Sequence, residues 1–91
     1  MTDTWAIEED LWWHPSTESI RFAIINEKTR HICAISKMAL NDFYQTEDTK
    51  DAAFDNFEKD RHKIISIAVE LANTYEPNED GIFFIKSGNM R

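Results

Sequence analysis

Between Asp51 and Tyr75 the chain holds neither proline nor glycine, and apolar residues recur at Phe54, Phe57, Ile64, Ala68, Leu71 and Tyr75. Gaps of three, four and seven put them on one stripe, so the pattern predicts a single long helix over residues 51–75. Upstream the period changes to two. Ser19 to Ile25 alternates Ile20, Phe22 and Ile24 with Arg21, Ala23 and Ile25. Arg30 to Ser36 alternates Ile32 and Ala34 with His31, Cys33 and Ile35. Two short β-branched runs around the polar Asn26-Glu27-Lys28-Thr29 predict a β-hairpin over residues 19–36. Its first strand is apolar on both sides, which suits cover on both faces.

The intervening stretches follow from end signals. Ser36 is placed to cap a short helix over residues 37–44, with Ala39, Leu40, Phe43 and Tyr44 as its apolar edge. Residues 45–50 are a polar linker, and Thr49 or Asp51 caps the long helix. Glu76 to Gly81 is a turn, with Gly81 supplying positive φ. Residues 82–85, Ile-Phe-Phe-Ile, make a buried strand, and residues 86–91 a frayed tail. In the acidic segment 1–18, Thr4 is placed to cap a helical turn over Ile7 to Trp12, which Pro15 ends. The sum is one domain of the α+β class. Its expected architecture has two layers: an antiparallel sheet of about three strands, the hairpin plus the C-terminal strand, packed against a short and a long helix. Either hairpin strand can neighbour the last one.

Two features of the long helix point beyond the core. Arg61 falls on the apolar stripe. It therefore needs a carboxylate, expected from the N-terminal segment or the short helix as a buried ion pair, or a stem lying on apolar surface with its head in water. Ile64 to Ala72 is apolar nearly all round, with Ile67 and Val69 on opposite flanks. One sheet cannot cover that circumference, so the Trp12-Trp13 segment or a second copy must. Trp12, Trp13 and His14 serve equally as a lid on the core or as a binding surface.

Charge narrows the partners. Seventeen acidic against ten basic side chains give a net charge of −7. That field opposes nucleic acid and anionic membranes. One cysteine, Cys33, cannot form an intramolecular disulfide, and no apolar run approaches the roughly 20 residues that span a bilayer. No cationic and apolar leader opens the sequence. A cytoplasmic location and a protein partner or self-association are the expectations.

Candidate chemistry is sparse. Cys33 and His31 share a strand face and are the one pair fit for a thiol-based enzyme or ligand site, yet no third group nearby in sequence orients the base. A metal set from His14, His31, Cys33 and His62 lacks recognisable ligand spacing. Glu76-x-Asn78-x-Asp80-Gly81 imitates half of a calcium loop, but its twelfth position is Ser87. With two glycines there is no phosphate cradle. Arg21, Lys28, Arg30 and Lys37 against Glu27 make the hairpin region locally basic, a conceivable nucleic-acid face set against the acidity of the rest. These residues give no catalytic, cofactor or metal assignment.

Trp12-Trp13, the Ile20-x-Phe22 strand, Cys33-Ala34-Ile35-Ser36 leading into Ala39-Leu40, and Phe54, Arg61 and Ile64 in the long helix together resemble the bacterial domain-of-unknown-function family 1488. The resemblance runs from about Leu11 to Ile85. It departs at His14-Pro15, where the family carries an acid, and at Asn26-Glu27-Lys28, where it carries a glycine. It implies a compact α+β protein of the bacterial cytoplasm and no catalytic residues. The expected function is a small non-enzymatic interaction or regulatory module.

Overall fold

The computed structural model describes residues 5–8, 10–27 and 29–90, so Thr4, Lys28 and Arg91 lie outside the described residues. Five strands form one open sheet: β1 (Ala6–Ile7), β2 (Trp12–His14), β3 (Ser19–Ile25), β4 (Arg30–Ser36) and β5 (Ile82–Ile85). The helices are α1 (Lys37–Tyr44), α2 (Lys50–Lys59) and α3 (Arg61–Thr74). The class is α+β, as the patterning indicates.

The hairpin forms as read, with Phe22 opposite Cys33 and Ile25 opposite Arg30. Four other parts differ from expectation, the long helix among them. The N-terminal segment is extended rather than helical. β1 and β2 both pair antiparallel with the outer edge of β3. Ile7 faces Ile24 and Trp12 faces Arg21, so five steps along this edge match three along β3, a two-residue bulge. Two adjacent tryptophans suit a pleated strand better than a helical turn. Next, the sheet is mixed, because β5 lies parallel to β4. Three helices separate the two strands, and they return the chain to the end of the sheet where β4 began. Third, the tail is ordered: Ser87–Met90 forms a 3-10 turn, and Met90 is fully buried beside α1.

The long helix is broken. Asp60 leaves helical space at φ −134° and ψ 44°, between α2 and α3. No proline or glycine is responsible. The Asp60 carboxylate accepts a 2.6 Å hydrogen bond from the Tyr44 hydroxyl, a tether from α1. Ser36 caps α1 by accepting from the Ala39 amide at 2.9 Å, and Thr49 caps α2 by accepting from Ala52 at 3.1 Å. Asn56 of α2 donates to Asn41 of α1 at 3.0 Å and to Thr46 at 2.9 Å, so the buried amides that join the two helices are satisfied.

All three helices pack on one face of the sheet. There Ile20, Phe22 and Ile24 meet Cys33, Ile35 and Ile85 under Leu40, Phe57 and Ile64. The rings of Phe22 and Phe57 meet edge to face at 5.0 Å. Each fully buried side chain of this size contributes roughly 1.5–3 kcal/mol.

Candidate functional site

Period two in the strands decides which side chains can meet a partner. Trp13 pairs with Ile20 and shares the helix-side face, where its ring lies 6.2 Å from Phe54 with Lys50 above it at 5.6 Å. Trp12 points the other way and is 39% exposed. The two tryptophans therefore divide the roles expected of them as a pair. One is a core lid and the other is surface.

Trp12 opens a row that crosses four strands: it pairs with Arg21, Arg21 with Ala34, and Ala34 with Phe84. A second row joins Ala23, Ile32 and Ile82. None of these residues belongs to the core cluster on the helix side, although Ile82 is only 5% exposed. Ala23 and Ala34 have no exposed surface, shielded by the taller side chains around them. The face is thus a shallow apolar trough floored by two alanines.

Arg21 stands in this trough. Its Nε is closed off from solvent and has no hydrogen-bond partner. Two other described bases of this region are answered within the chain. Arg30 pairs with Glu8 at 2.8 Å, and Lys37 with Glu18 at 3.4 Å and Asp48 at 3.5 Å. The basic hairpin is therefore not a continuous cationic stripe.

The remaining candidates fall elsewhere. Cys33 and His31 do share a face, but it is the helix-side one. The thiol is fully buried, donates to the His31 carbonyl at 4.0 Å rather than to the ring, and has its pKa pushed up to about 12 by burial. His31 is held between Trp5 at 5.7 Å and Phe83 at 5.2 Å. His14 accepts from or donates to Thr17 at 2.8 Å, and Thr17 meets Ser19 at 2.7 Å, a local chain that fixes the turn into β3. Arg61 does not make a buried ion pair. It bonds Glu58, three residues earlier, at 2.9 Å with 36% of its side chain exposed. Ile67 and Val69 are half-buried against the core, and Val69 lines an open groove of about 470 Å³ with Trp5 and Ile65. Asn78 accepts from the amides of Asp80 and Ile82, and Gly81 has φ 78°, so the calcium-like stretch is a turn. Among the described residues no three of His, Cys, Asp and Glu gather as a metal site. Nor is any described helix long and apolar enough to cross a membrane.

Arg21 was legible as a β3 residue opposite Ile20 and Phe22. Its isolation was not, because that depends on β2 and β5, whose pairing is non-local.

These features define a two-layer α+β domain with one covered and one open sheet face. The chain belongs to the family described as "Protein of unknown function (DUF1488)", whose model matches residues 8–85. It is similar over 94% of its length to the crystal structure, at 1.60 Å, of a protein of unknown function from that family in Shewanella loihica PV-4. The TM-score is 0.80, the identity is 20%, and 96% of that chain is covered. No curated protein matches the sequence.

Proposed function

We propose that this protein is a non-enzymatic module of the bacterial cytoplasm that acts by binding another protein through the open face of its sheet. The observation that carries this reading is the largely apolar trough around Arg21, whose Nε is shielded from solvent and has no hydrogen-bond partner. β3 supports it independently. Its apolar sequence suits cover on both faces, and the helices cover one. An enzyme working through Cys33 is disfavoured, since a buried thiol with a raised pKa is a poor nucleophile. Nucleic-acid binding is disfavoured by the ion pairs of Arg30 and Lys37.

The test places a photo-crosslinking amino acid at Trp12, on the open face, and at Glu58, on the helical side, in the native host. Discrete adducts from position 12 and none from position 58 are expected. Equal adducts at both positions, or none at position 12, would overturn the reading. Sedimentation of the purified chain then separates a second copy from a different protein.

A further inference from the structure

Resting on that reading of the open face, we infer that its occupant is an amphipathic helix of a different protein, bringing one carboxylate within an apolar stripe onto Arg21.

Charge identifies the chemistry. A guanidinium is a planar fork of N–H donors that matches a carboxylate, and it keeps its charge at all relevant pH. Arg21 sits between Trp12 and Ala34 in the cross-strand row, with Nε shielded and unbonded. None of the five strands contains aspartate or glutamate. Glu8, at this edge of the sheet, is committed to Arg30 at 2.8 Å. Among the described residues none bonds the Arg21 Nε, so an acceptor brought by a partner would complete it.

The same count argues against a second copy laid face to face. Such a pair would join two surfaces that each hold an unanswered guanidinium and no strand carboxylate. A copy offering its acidic helical side instead would make a head-to-tail contact that does not close on itself.

Geometry identifies the shape. A partner strand would have to extend an edge. At β5 both backbone groups of Ile82 are already taken, its carbonyl by the Asn78 amide at 3.0 Å and its amide by the Asn78 side chain at 3.0 Å. A helix needs no edge. About 10 Å across, it fits between β2 and β5, which stand three strand spacings of roughly 4.8 Å apart, over Arg21 and Ala34. Trp12 and Phe84 then flank it as walls.

The probe is a displayed library of twenty-residue amphipathic helices with a leucine and alanine stripe and a randomised central stripe position, selected on the full-length protein. Aspartate and glutamate should dominate the central position. The best glutamate helix should bind about thirtyfold tighter than its glutamine counterpart, the scale of a desolvated charge pair. Arg21→Gln should erase that difference, and Phe84→Asp should abolish binding. Glutamine helices that bind as well as glutamate ones, yet still depend on Phe84, would overturn the carboxylate inference and leave the docking face standing. No enriched helix, or binding indifferent to Phe84→Asp, would overturn both.

Discussion

Burial on the helix side of the sheet keeps the Cys33 thiol protonated far above its ordinary 9.0. The sequence places this thiol beside His31 and so suggests chemistry. The fold turns the same residue into a small apolar filler between β3 and β5. Its reactivity should follow the fold. Ellman's reagent is expected to react with native protein at a small fraction of the rate seen in denaturant, and fast labelling of native protein would show that the thiol is accessible. The shift also sets a pH dependence. Below pH 9 both folded and unfolded thiols are protonated, so the stabilisation is complete. Between about 9 and 12 the unfolded thiol ionises first, and stability falls by up to about 1.4 kcal/mol per pH unit for one proton. Tyr44, also raised by its burial, its hydrogen bond to Asp60 and that residue's charge, adds to the decline. Urea titrations of Cys33→Ala across this window should show a shallower loss than the parent protein.

At the scale of elements, β2 settles which tryptophan matters for folding. In a strand Trp12 and Trp13 face opposite sides; in a helical turn they would lie about 100° apart and share one flank. Trp13→Ala removes contacts with Phe54 and should cost about 2–3 kcal/mol, whereas Trp12→Ala should cost under about 1 kcal/mol. Equal losses in chemical denaturation would contradict the strand. The hairpin, the caps at Ser36 and Thr49, and the Gly81 turn were legible because each is encoded within a few residues. The break at Asp60 was not. The Tyr44 hydroxyl that bonds Asp60 comes from sixteen residues away, and the local sequence carries only aspartate's modest dislike of helix interiors. The parallel pairing of β5 was hidden for the same reason, since period and composition do not choose a neighbour. Of the candidate site, Trp12 could be named from its residue type. Arg21 could be named only as one base of the hairpin, because its shielding depends on the non-local pairing of β2 and β5.

For the whole molecule, the distribution of charge and the open face act against each other. The net charge of −7 adds a long-range repulsion between copies at neutral pH. The acids that produce it lie off the strands, so the only charge among the β3, β4 and β5 residues of the trough is the single guanidinium of Arg21. The sequence has its isoelectric point near 4.8. As pH falls toward that value the long-range repulsion disappears, and the uncovered sheet face becomes the stickiest surface available. Light scattering should therefore rise steeply on approach to the isoelectric point while far-UV circular dichroism stays constant. Phe84→Asp puts a charge in the trough and should suppress the rise. Asn73→Asp adds the same charge to the exposed end of α3 and should only shift the minimum slightly. If the two substitutions act alike, net charge alone governs association and the open face is not the surface that drives it.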